Sequence, residues 1–424
     1  MDHIRSYYAA SAHPSPPRPA LSGDITADVC IVGAGIAGCS TALHLAERGY
    51  KVVVLEGRRV GWGASGRSGG QAIFGYASSQ DTLAAQVGEA AARRMFDISV
   101  EALDLMKERI ARHAIDCDLH WGQLHVPIKP RHETELRVWR DELATRYGYE
   151  SLRWLEASEV RQMLATERYR GGLLDTRGGH LHPLNYTLGL AAAAEAAGAR
   201  ICDASLVTGI EHGETVLVRT ATGTVRAKHV ALCCNAYIDD TISRKLRARI
   251  MPVGTYIVAT EPLGRERMQA LMRDNVAVSD INWVLDYFRH SADDRLLFGG
   301  RVSYSGLNPA TTHRATRARM IKVFPQLADV KIDFAWGGYV DITMNRAPDF
   351  GRLAPNVYYL QGFSGHGIAL TGMAGKLVAE TIAGQAERFD LFSRLKHRNF
   401  PGGPALRMPG LVLAMLWFRL KDLL

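Results

Sequence analysis

Residues 28–56 carry the feature that most restricts how this chain can fold. An apolar run ends at Gly33, and Gly35 and Gly38 follow before a stretch with helical spacing and a second apolar run that ends at Glu56. This order predicts a strand, a glycine turn, a helix and a second strand that ends in an acid. Gly33 permits the tight turn, Gly35 admits a pyrophosphate to the backbone, and Gly38 lets the helix and strand pack closely.

A unit of this kind can hold the ADP half of a dinucleotide. The N-terminus of its helix offers free N–H groups and partial positive charge to phosphates. Glu56 ends the second strand, where a carboxylate can bind ribose hydroxyls. An ordinary βαβ turn without a ligand is the alternative. The complete context of strand, helix and acid favours a dinucleotide site.

The segment Gly61–Gln71 favours FAD over NAD. It has five glycines in eleven residues, too many for the interior of a stable helix or strand. Its backbone can wrap closely around a flat ligand. Ser65 and Ser68 supply hydroxyls, and Arg67 supplies charge for a phosphate or carboxylate. The alternative is a flexible surface loop.

A second glycine cluster lies at Gly362–Gly375, after a short apolar strand at Val357–Leu360. The stretch Ala369–Ile382 has helical spacing, so this is a second strand–loop–helix unit. The N-terminus of its helix can face a ligand and would favour negative charge on a reduced flavin ring. His366 lies within this loop, between two glycines.

The chain resembles flavoproteins of the D-amino-acid oxidase (DAO) superfamily and, within it, the gamma-glutamylputrescine oxidase family. The resemblance implies an α/β fold, in which a Rossmann-like FAD-binding domain is interleaved with a substrate domain of mixed β-sheet and helices. The matching stretches cover nearly the whole chain and are Gly61–Gln71, Gly178–Pro183, Trp336–Asp341, Arg346–Gly351, Gly362–Ile368 and Phe400–Gly403.

The domain organisation that we expect is discontinuous. An N-terminal tail that runs over the surface precedes the FAD-binding domain, and a C-terminal extension with an apolar helix at 410–424 follows it. The predicted ranges are 1–24 for the tail, 25–80, 151–235 and 331–385 for the FAD-binding domain, 81–150 and 236–330 for the substrate domain, and 386–424 for the extension.

Several local patterns give more detailed predictions. Residues 118–122 and 123–127 resemble a pair of strands, and residues 132–165 resemble one charged helix. Residues 224–228 and 229–235 are predicted as two strands, the second buried, with Cys233 and Cys234 pointing to its opposite faces as core residues. A strand over 283–289 is predicted in the substrate sheet.

The resemblance implies an FAD-dependent amine oxidase of polyamine catabolism, acting in putrescine degradation. It would convert gamma-glutamylputrescine or a related derivative to an aldehyde, ammonia and hydrogen peroxide, by hydride transfer to flavin N5. A D-amino-acid or glycine-type dehydrogenase that passes electrons to quinone stays open. The lysine that some members place over the flavin aligns with Leu297. A flavin-binding redox sensor without catalysis is the non-enzyme alternative.

His366 and Gln71 are the candidate catalytic residues. His366 could hold negative charge at the reduced ring or tune the protonation of the substrate. Gln71 could reach the ring edge or the substrate amine. For each, a hydrogen bond that only shapes the loop is the alternative.

Three further residues are candidates for binding the substrate. Tyr287 and Trp283 could form an aromatic wall around an amine, although an ordinary core stripe is the alternative. Arg346 could bind a carboxylate, and an ion pair with Asp341 or Asp349 competes with that role.

We expect FAD to be bound without a covalent bond, because the segment before the last glycine loop has no cysteine where covalent members of the superfamily carry one. Both glycine loops and the ends of neighbouring strands are expected to hold it. The predicted cofactor-binding residues are Gly33, Gly35, Ile36, Ala37, Gly38, Glu56, Gly57, Arg58, Ala64, Ser65, Gly66, Arg67, Ser68, Gly69, Gly70, Gln71, Val207, Asn235, Gly362, Ser364, Gly365, His366, Gly367 and Ile368.

Composition excludes several other classes. The net charge of +8 comes without a lysine-rich run interleaved with aromatics, so nucleic-acid binding is not expected. The six cysteines lack CxxC spacing, and His180 and His182 lack a third metal ligand. The sequence shows no signal peptide and no membrane-spanning run, so we expect a cytoplasmic protein. Its expected partners are a small-molecule amine and O2 or another electron acceptor. The apolar segment 410–424 is expected to dock on the protein's own body or on a second subunit, and a membrane surface is the alternative.

Overall fold

The computed structural model describes residues 2–303 and 309–403, together with 409, 410, 412, 413 and 417. Over these residues the strands form one sheet of eight strands and one of nine. The chain passes repeatedly from one sheet to the other, with helices packed against both. The predicted α/β class is confirmed.

The described part of the chain contains twelve α-helices and seventeen strands, together with three short 3-10 helices. The α-helices are α1 (Tyr7–Ala10), α2 (Ile36–Ala46), α3 (Gln80–Val87), α4 (Glu89–Arg112), α5 (Pro130–Tyr147), α6 (Ala157–Met163), α7 (Pro183–Ala196), α8 (Asp240–Arg249), α9 (Arg265–Leu271), α10 (Pro309–Val323), α11 (Gly367–Ile382) and α12 (Glu387–Ser393). The strands of the first sheet are β1 (Ile25–Val32), β2 (Val52–Leu55), β7 (Arg200–Cys202), β8 (Val207–Glu211), β9 (Val216–Thr220), β10 (Thr224–Leu232), β16 (Asp349–Ala354) and β17 (Val357–Gln361). Those of the second are β3 (Gln71–Ala72), β4 (His120–Val126), β5 (Leu152–Glu156), β6 (Gly171–His180), β11 (Ile250–Thr260), β12 (Ala277–Asp280), β13 (Asp286–His290), β14 (Leu296–Ser303) and β15 (Ile332–Thr343).

The first sheet has the order β16-β17-β10-β1-β2-β7, and its central strands run parallel. Its strands are apolar on both faces, as expected for a parallel sheet that is covered on both sides. Val52 and Val54 pack into one core cluster with α2 and α11, while Val53 and Leu55 pack into the cluster on the opposite face. The βαβ unit predicted for residues 28–56 is therefore confirmed.

The second sheet has the order β15-β11-β14-β13-β12-β4-β6-β3 and is mainly antiparallel. The exception is the parallel pair of β4 and β12, in which Gln123 lies opposite Ala277. Strands β3, β4, β12, β13 and β15 each deliver residues to one cavity between the sheets. The second sheet thus forms the wall that faces the nucleotide-binding unit.

The N-terminal segment, predicted to run over the surface, is exposed at most of its described positions but is anchored in the protein at a few buried ones. Tyr7 and Tyr8 are buried in an apolar cluster that includes Trp336, and Leu21 is buried in the core of the first sheet. The ring centroid of Tyr8 lies 5.2 Å from that of Trp336. The Tyr8 hydroxyl accepts a hydrogen bond from the buried Arg289 at 3.1 Å. Large aromatic rings bury enough apolar surface to anchor the segment.

Three predicted boundaries are also corrected. The proposed strand pair over 118–127 is the single strand β4, which passes through an irregularity at Gly122. The proposed helix over 132–165 ends at Tyr147 because Gly148 adopts a left-handed conformation, and β5 and α6 follow. The two strands predicted over 224–235 are one strand, β10, which ends at Leu232.

Two further expectations change in detail. The strand predicted from residue 283 begins at Asp286, so Trp283 lies in the preceding loop. Cys233 and Cys234 lie beyond the end of β10. The apolar helix predicted over 410–424 lies outside the described residues except at four positions. Among the helices that are described, none is long and apolar enough to cross a membrane.

Removing the Tyr8 ring should destabilise the protein. Tyr8→Ala deletes a fully buried ring and leaves Arg289 without one acceptor, so we expect a loss of about 3–5 kcal/mol. Tyr8→Phe keeps the ring and should lose about 1–3 kcal/mol. Urea denaturation followed by circular dichroism measures both. A Tyr8→Ala midpoint equal to that of the wild type would show that the segment is only loosely attached.

Candidate functional site

A cavity of about 670 Å³ lies between the two sheets. It opens at the carboxyl ends of β1, β2 and β10, where open parallel sheets bind ligands. The N-termini of both α2 and α11 reach its wall. The cavity therefore joins the two glycine loops that the sequence separates by about three hundred residues.

The first glycine turn is packed too closely for any side chain at two of its positions. A Cβ on Gly38 would lie 1.9 Å from the carbonyl oxygen of Gly33. Gly33 has φ +102°, and its own Cβ would lie 2.8 Å from the Cys233 oxygen. The backbone N–H of Ile36 donates to Ser65 Oγ at 3.0 Å, which ties this turn to the second glycine segment.

Glu56 lies beside the N-terminus of α2, with both carboxylate oxygens held by backbone groups. One oxygen accepts from the N–H of Ala34 and the other from that of Arg58, each at 2.8 Å. Burial raises the pKa of this carboxyl above its usual value, and the two N–H bonds oppose that shift. Each oxygen keeps capacity for a second donor. The fixed carboxylate lines the cavity and can accept ribose hydroxyls.

The loop from Gly61 to Gln71 lines the cavity in part. Its residues on the cavity wall include Ser65, Ser68, Gly69, Gly70 and Gln71. Ser68 Oγ is buried and has no hydrogen-bond partner among the described residues. The loop therefore offers a ligand both backbone and a hydroxyl that needs a partner.

Arg67, predicted to bind a phosphate or carboxylate, makes its hydrogen bond and its ring contact within its own loop. Its Nε donates to the carbonyl oxygen of Trp62 at 2.7 Å, and its guanidinium lies 3.9 Å from the centre of the Trp62 ring. Arg67 is not among the residues that line the cavity. The cation–π contact holds the guanidinium against Trp62, and its Nη2 is buried without a hydrogen-bond partner among the described residues.

The second glycine loop follows β17 and is held by Asp341. The N–H of Gly362 donates to the Asp341 carboxylate, and the N–H of Ser364 donates to the Asp341 carbonyl oxygen at 3.0 Å. Gly362 and Gly365 have φ +78° and +96°, a region that favours glycine. Burial raises the pKa of Asp341 to about 6. The carboxylate thus fixes the loop immediately before α11.

His366 precedes the first residue of α11 and lines the cavity. Burial, and then the charge of Arg346, lower its pKa to about 4, so the ring is neutral near pH 7. Its Nδ1 is buried without a hydrogen-bond partner in the described part of the chain. Burial and the neighbouring His366 lower the pKa of His125 to about 4 as well. The cavity wall therefore carries one neutral imidazole, that of His366, and the neutral ring of His125 lies behind it, close enough to feel a charge on His366.

The three predicted substrate residues all line the cavity. The Arg346 guanidinium lies 5.2 Å from the centre of the Trp283 ring. Tyr287 lies against the first loop, because a Cβ on Gly69 would lie 2.7 Å from its ring. Asp349, one of the two expected ion-pair partners of Arg346, instead lies 3.3 Å from Arg249.

Most predicted cofactor residues reach the same cavity. Gly38, Gly66, Arg67 and Gly362 do not line it; the three glycines serve close packing or turn geometry. The residues that the structure brings together on the wall are Gly33, Gly35, Ile36, Ala37, Glu56, Gly57, Arg58, Ala64, Ser65, Ser68, Gly69, Gly70, Gln71, Val207, Asn235, Ser364, Gly365, His366, Gly367 and Ile368.

The sequence reasoning missed several wall residues. Gln123 and Ser279 reach the cavity from β4 and β12, and Tyr237 reaches it from the turn after β10. A polar Gln123 at the start of an apolar strand segment was the available signal. Cys233 and Cys234 also line the cavity, so their interpretation as core residues is incomplete.

The chemistry of the wall fits FAD. Besides Ser68 Oγ and His366 Nδ1, the Asn235 amide oxygen is buried without a partner among the residues described. Native proteins seldom leave such atoms unsatisfied, so a ligand with several polar groups is expected between the loops. The glycine turns leave the backbone accessible at one end, and the N-terminus of α11 faces the cavity at the other.

His180 and His182 take part in the protein's own hydrogen bonds. His180 lies 3.0 Å from the Asn275 side chain, and His182 Nδ1 accepts from the Asn185 N–H at the start of α7. Within the described ranges no cluster of three or more His, Cys, Asp or Glu could hold a metal. The structural interpretation of both histidines agrees with these contacts.

Comparisons with known proteins agree with this geometry. The DAO family model, described as FAD dependent oxidoreductase, matches residues 28–381. A gamma-glutamylputrescine oxidoreductase of Escherichia coli is 44% identical over 99% of both chains. A probable oxidoreductase of Haemophilus influenzae is 41% identical over 100% of this chain and 98% of its own length. The fold matches the glycine oxidase of Geobacillus kaustophilus with a TM-score of 0.74 at 22% identity, over 88% of this chain and 100% of that one.

Gly38→Ala should weaken FAD binding strongly. The added methyl group would force the turn at Gly33 apart, because the Gly33 backbone lies directly against it. We expect the dissociation constant for FAD to rise by about a hundredfold or more, the equivalent of roughly 3 kcal/mol. Quenching of flavin fluorescence measures it. Gly209→Ala is the control, since a Cβ there meets nothing within 4 Å. Equal affinity in the Gly38 variant would contradict the assignment of the turn.

Stability should fall in mild acid because of the two neutral histidines. Their pKa is about 4 in the folded state against 6.5 in the unfolded chain, so the unfolded chain binds more protons between these values. The free energy of unfolding therefore decreases as pH falls through this window. His125→Gln should reduce that decrease by about 3 kcal/mol.

Urea denaturation at several pH values from about 7 to about 4.5 tests this effect. His212→Gln, at an exposed turn, serves as the surface control. The same pH dependence in the His125 variant and the wild type would show that His125 is already protonated in the folded protein.

Proposed function

Because this chain belongs to the DAO family of FAD-dependent oxidoreductases, we propose that its substrate is gamma-glutamylputrescine or a closely related glutamylated amine. The primary amine would be oxidised to an aldehyde. With oxygen as the acceptor, one amine, one O2 and one water yield one aldehyde, one ammonia and one hydrogen peroxide.

The observation that carries this proposal is the full-length similarity to the Escherichia coli enzyme, at 44% identity. The alignment covers 99% of both chains. The similarity therefore includes the residues of the second sheet as well as those of the nucleotide-binding unit. The cavity supports the proposal because it combines neutral polar groups with a guanidinium. An amine with a carboxylate at a distance has the complementary groups.

FAD supplies, when bound, the ring that accepts two electrons from the amine carbon. The residues of this chain have other tasks. Glu56 and the Gly33 turn would hold the adenosine and pyrophosphate end. The N-terminus of α11, fixed by Asp341, would stabilise negative charge at the ring end.

The flavin is proposed to be held without a covalent bond. Cys233 and Cys234 line the cavity, but burial raises the pKa of both thiols, that of Cys233 to about 12. A thiol that stays protonated is a poor nucleophile. Hydrogen bonds and packing against the two glycine loops would then carry the whole affinity.

Arg346 is proposed to bind the carboxylate of the glutamyl group. Its guanidinium lies on the cavity wall against the Trp283 ring, and a planar guanidinium pairs well with a carboxylate. Leu297, at the position aligned with the lysine of some oxidases, is buried in an apolar cluster with Trp336. That position therefore contributes no charge to the reaction with oxygen.

Anaerobic mixing with a panel of amines tests the proposed substrate. Gamma-glutamylputrescine should bleach the visible absorbance of the oxidised flavin. Putrescine and an acylputrescine that lacks the carboxylate should do so at much higher concentration, because Arg346 has nothing to bind. Admitting air should then restore the colour with one peroxide per amine. Bleaching by glycine or D-amino acids alone, or by no amine, would contradict the proposal.

A further inference from the structure

Two glutamines on the cavity wall use their amide nitrogens in the same way. Gln71 Nε2 donates to the carbonyl oxygen of Val278 at 3.3 Å, and Gln123 Nε2 donates to Ser279 Oγ at 3.0 Å. Val278 and Ser279 are neighbours on β12, so both carboxamides are anchored to the same strand. A carboxamide that donates through nitrogen on one side presents its oxygen on the other.

The amide oxygen of Gln123 needs a donor that the described residues do not supply. The side chain is almost completely buried, and its Oε1 makes no hydrogen bond within that part of the chain. Leaving a buried acceptor unsatisfied is costly, so such an atom at a cavity wall indicates a ligand with an N–H or O–H group.

A second contact fixes the orientation of this amide. Ser279 Oγ lies 3.4 Å from His125 Nδ1. His125 is neutral because burial and the neighbouring His366 lower its pKa to about 4, so one of its ring nitrogens is an acceptor. When that nitrogen accepts the Ser279 hydroxyl proton, the serine oxygen is left to accept from the amide NH2. The Gln123 oxygen then has to face away from β12.

The charged groups around these amides do not favour a cation. His366 and His125 are neutral, and burial keeps the Tyr287 hydroxyl protonated by raising its pKa. Arg346 carries a positive charge close enough to lower the pKa of His366. A buried ammonium without a carboxylate partner is strongly disfavoured.

The carboxylates on the wall are engaged elsewhere. Asp341 accepts from the Gly362 N–H, and Glu56 accepts from two backbone groups beside α2. Asp239 accepts from the N–H groups of Thr241 and Ile242 at the start of α8. The carboxylate nearest to Gln123 is that of Asp175, directly opposite it on β6. It accepts from the Tyr149 hydroxyl and the Arg177 N–H, burial raises its pKa, and it does not line the cavity.

We infer that the carboxamide oxygens of Gln71 and Gln123 accept the two N–H bonds of the substrate amine and hold it in its uncharged form. This inference rests on the proposed function only in taking the ligand to be a primary amine. A neutral primary amine has two N–H bonds and one lone pair. Two acceptors therefore use both bonds and leave the lone pair on nitrogen free, as oxidation at the neighbouring carbon requires. The extra proton of the ammonium form passes to solvent when the amine binds.

Gln123→Glu in the FAD-loaded protein is the most direct test, since it is nearly isosteric and adds a carboxylate. The carboxylate should stabilise the ammonium form. The apparent pKa in the pH profile of anaerobic flavin reduction should rise by about one unit or more, with about tenfold slower reduction on the acid side. Gln123→Leu should raise the dissociation constant of the amine by about tenfold to a hundredfold. Gln71→Glu should move the profile in the same direction.

Gln162→Glu, at an exposed position of α6, is the matched control and should leave the profile unchanged. A Gln123 that only supports the fold would show lower FAD content and a lower unfolding midpoint in the Leu variant, with the pH profile of the Glu variant and the amine affinity as in the wild type. That result would overturn the inference.

The two proposals fail in different ways. If another primary amine reduces the flavin and gamma-glutamylputrescine does not, the proposed substrate is wrong. The same glutamine variants, tested with that other amine, then still decide whether the inference about the two amides holds. Should no amine bleach the flavin or perturb its spectrum, the proposed function and the inference both fall.

Discussion

The close packing of α2 against α11 is the contact on which the site depends. A Cβ on Gly375 would lie 2.6 Å from the Ala37 carbonyl oxygen, and Ser40 Oγ donates to the Gly372 carbonyl oxygen at 2.5 Å. Because the helices approach this closely, both N-termini reach one cavity. Two positive helix ends then face the same cavity, and in the proposed function one would lie at the phosphate end and the other at the ring end of FAD.

The second sheet forms the wall opposite the glycine turns, and the side chains on this wall differ in chemistry from those at the turns. Its strands bring neutral amides, a serine and aromatic rings to the wall, while Arg346 supplies one charge. Burial keeps His125 and His366 neutral, as their lowered pKa values indicate. In the proposed function, such a wall would discriminate between protonation states of an amine without a residue that itself takes up a proton. The two sheets would then divide the binding of FAD and the selection of the substrate between them.

Local sequence predicted the nucleotide-binding side because each requirement there is met within a few residues. The turn geometry of Gly33 and the packing of Gly38 follow from their spacing to the strand and helix. The Gln123–Ser279 contact could not be predicted in the same way. It joins positions 156 residues apart through the parallel pairing of β4 and β12, which no local pattern reports. Arg67 was predicted correctly as part of the loop, but its contact with Trp62 depends on a side-chain rotamer.

The crystal structure of the FAD-loaded protein with an unreactive glutamylated amine tests the central claim most directly. The account predicts that the adenosine end lies at Gly33 and Glu56, and that the ring lies at the N-terminus of α11. The amine nitrogen should lie about 3 Å from the amide oxygens of Gln71 and Gln123. A flavin ring away from His366, or an amine paired with a carboxylate instead of the two amides, would contradict it.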